Sequence, residues 1–220
     1  MGMGEKLEEW EYANFSNAAD VETYCENLLN FLSINSQEIF LILKDTRPTH
    51  KKMFEMVVPV GREYLAGNYR GANYPQLIDR PVYVQTVYGY YDSGAPCDKV
   101  HEFMDEFHVQ IGQALNALKT QSVNWNPTQK IIAYTKFVGS CFVNFLAIHP
   151  YANGNGHISR LLVWCLFAIK SISCNFWNVP KRNSLPTNQM VTDFRRKNFT
   201  PLFKCFLDLI SNENKDINLQ

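Results

Sequence analysis

The chain has 220 residues, of which 46% are hydrophobic and 19% charged, enough for one globular domain with a sizeable core. Its 21 lysines and arginines balance its 21 aspartates and glutamates, so the formal net charge is zero. That balance provides no general electrostatic attraction to nucleic acid or to an anionic membrane, and we expect neither as a partner.

The sequence predicts no signal peptide and no transmembrane segment. Its first residues lack a basic region followed by an apolar run, and no stretch reaches the roughly 18 consecutive apolar residues of a membrane helix. The six cysteines are scattered and form no C-x-x-C pair, which is typical of buried free thiols in a reducing compartment. We therefore expect a cytoplasmic location.

Residues 1–60 are predicted to form a helical region that packs on the rest of the chain. Apolar side chains recur at helical spacing over residues 21–32, and Asp20 is the predicted N-cap. Residues 44–52 contain two adjacent lysines and a proline, and we predict a basic surface loop there. Such a loop is either simply solvated or in contact with phosphate or an acidic partner.

A β-hairpin is predicted over residues 80–94. Residues 80–88 carry β-branched and aromatic side chains at the density of a strand, and residues 89–94 are rich in turn formers. This hairpin would be the lone strand element of an otherwise all-α chain. The alternative is a surface loop that packs its tyrosine side chains.

An amphipathic helix is predicted from residue 100 to residue 118, where apolar side chains recur at helical spacing. His101 and His108 lie on one face of that helix. Two helical turns separate them, which is too far for one metal ion without further ligands, so a metal site there is the weaker interpretation.

The most informative stretch is the turn at residues 149–160, His-Pro-Tyr-Ala-Asn-Gly-Asn-Gly-His-Ile-Ser-Arg. Asn126 and Pro127 are predicted to begin the preceding helix as its N-cap and first residue. That helix would end at His149, and a second apolar helix follows the turn. A short polar connection would suffice between two such helices, so the unusual residues of this one need a reason.

This turn favours an anion. Gly154 and Gly156 can adopt positive φ, and the next helix presents unpaired N–H groups and the positive end of its dipole. Arg160, about one turn further on, has a planar fork that suits phosphate oxygens, and an imidazole such as His149 suits a general base. A common helix-capping turn with a structural histidine is the alternative interpretation.

The turn resembles the signature of the Fic (fido) domain family, His-x-Phe-x-Asp/Glu-Gly-Asn-Gly-Arg-x-x-Arg. Tyr151 stands in place of the phenylalanine, Asn153 in place of the acid and His157 in place of the first arginine. The Gly-x-Tyr-Arg stretch at residues 67–70 and Thr-Pro-Leu at residues 200–202 resemble flanking parts of the family's core. The resemblance spans residues 61–210, which leaves residues 211–220 as a C-terminal tail.

This resemblance implies an all-α, Fic-type helical bundle with a short β-hairpin flap. Such a domain transfers part of a nucleotide, most often AMP from ATP, to a Ser, Thr or Tyr hydroxyl of a target protein. His149 would be the general base. The nucleotide phosphates would be held by the turn and the helix after it, through Gly154, Asn155, Gly156, His157 and Arg160. The flap would pair with the target through Val82, Tyr83 and Val84.

The two departures from the signature concern the residues that handle charge. The family's acid binds Mg²⁺, whereas Asn153 offers a carbonyl oxygen without charge at that metal position. His157 lacks the fork of arginine and is only partly protonated at neutral pH. The implied enzyme therefore uses ATP with Mg²⁺ or Mn²⁺ at reduced rate, or transfers a related phosphate-linked group. The alternative is a weakened or inactive module that binds a nucleotide or a partner protein.

Two further points stay open in the sequence. Phe176 and Trp177 could stack on a purine base or could close the core, as aromatic residues after a helix commonly do. The sequence is also compatible with a homodimer.

Overall fold

The structure, a computed structural model, describes residue 10 and residues 16–85, 91–174, 177, 179 and 186–213. Over these residues the regular secondary structure is helical apart from one short two-stranded ribbon. The helices are α1 Ala18–Ile34, α2 Ser36–Lys44, α3 Arg47–Phe54, α4 Val100–Gln121, α5 Pro127–Ile148, α6 Asn155–Ala168, α7 Asn188–Arg195 and α8 Thr200–Glu213. The predicted all-α class is confirmed, and a Fic-type arrangement of these helices stays a proposal.

The ribbon consists of β1, Tyr83–Gln85, and β2, Tyr91–Ser93. The strands pair antiparallel, with Tyr83 opposite Ser93 and Gln85 opposite Tyr91. Residues 86–90 of the predicted hairpin lie outside the described part of the chain. Its role as a flap stays a prediction.

Helix α5 is the centre of the bundle, because it packs against α4, α6, α7 and α8. It begins as predicted: the Gln129 N–H donates to the Asn126 side chain at 2.9 Å, and the Asn126 N–H donates to the Gln129 side chain at 3.0 Å. Among the described helices α5 alone is long and apolar enough to span a membrane. The core helix of a soluble bundle passes the same test, so this is weak evidence for a membrane location.

Two N-terminal predictions are wrong. Helix α1 begins at Ala18 with Asn17 as its N-cap. Asp20 lies in the first turn, where its negative charge interacts favourably with the positive end of the helix dipole. Residues 44–52 are not a loop, since α3 begins at Arg47, whose N–H donates to the Asp45 carboxylate at 2.9 Å. Pro48 lies in the first turn of α3, where its missing N–H costs nothing.

The inner face of α3 explains why this helix forms despite its lysines. Four of its side chains are buried, namely Thr49, His50, Met53 and Phe54. Burial of that face outweighs the polar character of the remaining positions. Helix α2 packs against α4 and α6 and so joins the N-terminal helices to the centre of the bundle.

Helix α8 begins at Thr200, the first residue of the Thr-Pro-Leu stretch, and the predicted amphipathic helix is confirmed by α4. All six cysteines are free thiols, as expected. Helix α6 is buried around most of its circumference. In the turn between α5 and α6, Pro150, Tyr151 and Gly154 are buried and the other residues are partly buried.

Candidate active site

His149 ends helix α5 in a left-handed conformation, with φ of 52° and ψ of 61°. Its N–H still closes the last helical turn by donating to the Phe145 carbonyl at 2.9 Å. Positive φ is uncommon outside glycine and persists only where surrounding contacts hold it. Pro150 follows and cannot continue the helix, so the chain leaves the helix axis at His149.

The turn is closed by the side chain of Asn155. The Tyr151 N–H donates to Asn155 Oδ1 at 2.9 Å, and Asn155 Nδ2 donates to the Tyr151 carbonyl at 2.8 Å. Because both polar atoms of this buried amide are engaged, Asn155 shapes the cradle through its side chain. Its predicted contact with a nucleotide would have to come from its main chain.

Gly154 is the N-cap of α6 and has a positive φ of 77°. A Cβ atom there would lie 2.3 Å from the Phe54 ring and 3.1 Å from His50 Nε2. Glycine is therefore required both by backbone conformation and by space. The first N–H groups of α6 follow directly and have no acceptor within the helix, which is the ordinary basis of anion binding at a helix start.

Tyr151 anchors the turn in the core. Its ring stacks on His50 at a centroid distance of 3.7 Å and an interplanar angle of 8°, and its hydroxyl bonds to Thr46 Oγ1 at 2.6 Å. His50 Nδ1 accepts the Gly67 N–H at 2.9 Å, so the proton is on Nε2, which donates to the Asn153 carbonyl at 3.0 Å. Burial lowers the pKa of His50 to about 3, and His50 supports the turn as a neutral residue.

Asn153 turns its side chain toward the protein. Its Oδ1 accepts the Gly154 N–H at 2.7 Å, and its Nδ2 donates to the Trp10 carbonyl at 2.8 Å. A neutral, already bonded oxygen does not fit the preference of Mg²⁺ for carboxylates and water. Within the described ranges no group of three His, Cys, Asp or Glu side chains could hold a metal ion.

His157 lies in the first turn of α6 but inside the protein, with 4% of its surface exposed. Its ring packs edge-on against Phe54 at 5.6 Å. The cavity beside His149 has no contribution from His157 among its lining residues. The arginine position of the signature is thus occupied by a side chain that the structure directs into the core.

His149, Gly156 and Arg160 are brought together around a cavity of about 180 Å³. Its other lining residues are Phe142, Leu146, Ser159, Pro186, Asn188, Val191 and Arg195. The last four come from α7 and the segment before it, which no sequence pattern connected with the site. Only the basic character of residues 195–197 was a signal for Arg195.

The His149 imidazole is neutral in this environment. Burial lowers its pKa to about 4, and the positive charges of Arg70, Arg195 and Arg80 act in the same direction. The Leu146 carbonyl opposes this shift, with an effect smaller than those of burial and Arg70 but larger than those of Arg195 and Arg80. Nδ1 is buried and makes no aligned hydrogen bond with any residue in the described part of the chain. At pH 7 the ring can therefore accept a proton.

Arg160 supplies a cation at the cavity. Its guanidinium lies 4.1 Å from the Trp177 ring centroid, and the indole N–H of Trp177 donates to the Arg160 carbonyl at 2.7 Å. Burial lowers the pKa of Arg160 to about 10, which leaves it charged at neutral pH. Trp177 also packs on Phe142 and Phe206, so its core role is confirmed, while Phe176 lies outside the described residues.

The remaining predicted residues lie elsewhere. The Val82 carbonyl accepts the Gly94 N–H at 2.9 Å at the base of the ribbon, and Tyr83 and Val84 belong to β1. His101 packs edge-on against Tyr69, and His108 Nδ1 bonds to a backbone carbonyl of α2, so the two histidines face different surroundings.

Comparison of the chain with protein-family models, with curated proteins and with solved structures gave no match. The class of site is therefore defined by its geometry alone: a neutral histidine, a buried arginine and a helix N-terminus around one cavity.

Proposed function

We propose that this protein transfers a phosphate-linked group, most simply AMP from ATP, to a Ser, Thr or Tyr hydroxyl of a target protein. The observation that carries the proposal is the shared cavity, where the neutral imidazole of His149 faces the same space as Arg160 and the first turn of α6. A proton acceptor beside two groups that favour anions is the equipment that phosphoryl-linked transfer requires.

In the proposed reaction His149 takes the proton of the target hydroxyl. The oxygen attacks the α-phosphorus of the nucleotide, the bond to the oxygen that bridges the α- and β-phosphates breaks, and pyrophosphate leaves with that oxygen. The N–H of Gly156 and the dipole of α6 would stabilise the charge that develops on the α-phosphate. Arg160 would neutralise the phosphates beyond it.

The low pKa of His149 belongs to the site without an anion. Phosphate charges beside the imidazole favour its protonated form and raise its pKa back toward neutrality. A base whose pKa lies near the working pH is the most effective, so nucleotide binding itself would prepare His149 for its role.

The target would reach His149 along the ribbon. A two-stranded ribbon has open backbone edges, to which an extended segment can add as a further strand. Val82, Tyr83 and Val84 are the residues proposed to receive it. Main-chain pairing of this kind holds a segment in place with little demand on its sequence.

Asn153 and His157 set the expected rate. Both side chains make contacts within the protein, so neither contributes charge to the phosphates in the arrangement described above. Loss of one electrostatic contact at an active site costs about 10²-fold or more in rate. We therefore expect slow transfer, and no step of the mechanism is assigned to a metal.

The same two residues favour a second candidate, a module that binds a nucleotide without turnover. The first turn of α6 and Arg160 would suffice to bind phosphates, while the inward side chains of Asn153 and His157 would leave the transition state poorly stabilised. The two candidates differ in what His149 does, since only transfer requires a base.

Intact-protein mass spectrometry after incubation with ATP, with and without Mg²⁺ or Mn²⁺, tests both candidates. Transfer predicts self-modification or lysate labelling that is lost in His149→Ala and kept in His101→Ala, a matched change at an exposed histidine. Asn153→Asp together with His157→Arg should increase the label. Nucleotide binding by calorimetry without any label would favour the binding module, and neither binding nor label would refute both.

A further inference from the structure

Arg70 is a fully buried cation next to the His149 turn, with 0% of its surface exposed. Its guanidinium has five N–H donors, and the structure provides five acceptors. They are the carbonyls of His149 at 2.7 Å, Arg80 at 2.8 Å, Ile148 at 2.8 Å and Ala95 at 3.0 Å, and Cys97 Sγ at 3.6 Å. The backbone N–H of Arg70 adds a bond to the Pro150 carbonyl at 2.7 Å.

No carboxylate pairs with Arg70 among the ion pairs of the described residues. Its charge is instead balanced by the end of α5, where the carbonyls of Ile148 and His149 have no partner within the helix and the dipole is negative. A lysine would keep the charge at this place but could not reproduce the planar fork that reaches all the acceptors.

The same guanidinium joins two parts of the molecule. Arg80 lies just before β1 and Ala95 just after β2, so Arg70 contacts both ends of the ribbon. On its other side it contacts the two carbonyls that frame His149. Gly94 brings the ribbon close, since a Cβ atom there would lie 3.5 Å from Arg70 Nη2 and 3.3 Å from Val82 Cβ.

These contacts act on His149 in two ways. The bond to the His149 carbonyl holds the left-handed backbone that directs the imidazole into the cavity. The charge of Arg70 also lowers the imidazole pKa, together with smaller effects of Arg195 and Arg80, while Arg160 faces the same cavity. The groups that shift this pKa include no carboxylate.

We propose that Arg70 is a positioning residue that fixes the orientation of His149 and couples it to the ribbon, so that a segment docking on the ribbon regulates the His149 turn. The regulatory part rests on the proposed function. The mechanical part, one guanidinium holding both the ribbon ends and the histidine, is independent of any reaction.

The test is an NMR titration of the His149 ring in the full chain, with the signal assigned by its loss in His149→Gln. Arg70→Gln removes the charge and should raise the His149 pKa above about 4, while burial, the larger cause of the low pKa, keeps it below the ordinary 6.5. Arg70→Lys keeps the charge, so the pKa should stay low while the ring signals shift. Arg80→Gln removes a nearby charge and leaves the Arg80 carbonyl in place, and should produce the smallest change.

The coupling to the ribbon is tested by Gly94→Ala, which perturbs the contacts between Arg70 and the ribbon without removing Arg70. This variant also provides a test if Arg70→Gln fails to fold. Coupling predicts that this change, outside the turn, shifts the His149 ring signals. An unchanged His149 titration in folded Arg70→Gln, or unshifted signals in both Gly94→Ala and Arg70→Lys, would overturn the proposal.

The titration also separates this inference from the proposed function. If the native protein transfers nothing but the variants shift the His149 titration as described, the positioning role of Arg70 is supported and the transferase function is refuted. If the native protein labels itself and His149 titrates in Arg70→Gln as in the native chain, the transferase function is supported and the positioning role of Arg70 is refuted.

Discussion

Acid should destabilise this protein through His50, and the size of the effect follows from its burial. The pKa of His50 falls from the ordinary 6.5 to about 3 in the folded chain. Between these values the unfolded chain binds a proton that the folded chain does not bind, so stability decreases as the pH falls from 6.5 toward 3. From pH 6.5 to pH 5 the pH changes by about 1.5 units, and each unit costs about 1.4 kcal/mol, so the free energy of unfolding falls by about 2 kcal/mol.

Urea unfolding of the native chain and of His50→Gln at pH 7.5 and pH 5 measures this contribution. Glutamine does not titrate, so the native chain should lose about 2 kcal/mol more than the variant between the two pH values. At a typical urea dependence of about 2 kcal/mol per molar, that is a midpoint difference of about 1 M. The other histidines are present in both chains, so their contributions cancel.

His101→Gln is the matched control, because it removes an exposed imidazole and leaves His50 in place, so the loss of stability due to His50 between the two pH values should persist in it. The reasoning is refuted if the native chain and His50→Gln lose the same free energy of unfolding between pH 7.5 and pH 5. That result would mean that folded His50 accepts a proton without cost, which contradicts its burial between Tyr151 and Phe54.

Three further substitutions should change the free energy of unfolding, measured by heat or by urea. Gly154→Ala should lower the free energy of unfolding by about 3 kcal/mol, because the alanine would have a left-handed backbone and a Cβ atom 2.3 Å from the Phe54 ring. A loss below about 1 kcal/mol would show that the ring moves aside freely. Gly112→Ala, at an exposed position of α4 where an added Cβ meets nothing within 4 Å, should instead gain up to about 1 kcal/mol, and a loss there would contradict the open space. Asn126→Ala should lose about 1 kcal/mol by removing the cap of α5, and an unchanged midpoint would mean that tertiary packing alone fixes the helix start.

The parts of the fold that the sequence predicts well depend on local chemistry. Asn126 and Pro127 mark the start of α5 because an N-cap and a first-turn proline act within one helical turn. The periodicity that predicts α4 is equally local. The failure at residues 44–52 has a different cause, since α3 buries His50 and Thr49, which a pattern of apolar residues does not count.

The candidate site was predictable only where its residues lie close together in the sequence. His149, Gly156 and Arg160 belong to one short stretch, and the structure places all three at one cavity. The neighbours that fix their geometry come from distant positions: His50 bonds to the Asn153 carbonyl across 103 positions, and Arg70 bonds to the His149 carbonyl across 79. No spacing rule connects such pairs, and the inward orientation of His157 likewise depends on Phe54, far from it in the chain.

The support of the turn by the N-terminal part of the chain has a consequence for biosynthesis. The Trp10 carbonyl and the Asn153 side chain are 143 positions apart, and Thr46 and Tyr151 are 105 apart. When the chain is synthesised, the supporting residues leave the ribosome long before the turn exists. We therefore expect the N-terminal support to be available when the helical hairpin of α5 and α6 forms, so that its turn takes its final shape against residues that are already present. A chain shortened at its N-terminus would keep that hairpin but lose the shape of the turn, and with it the position of His149.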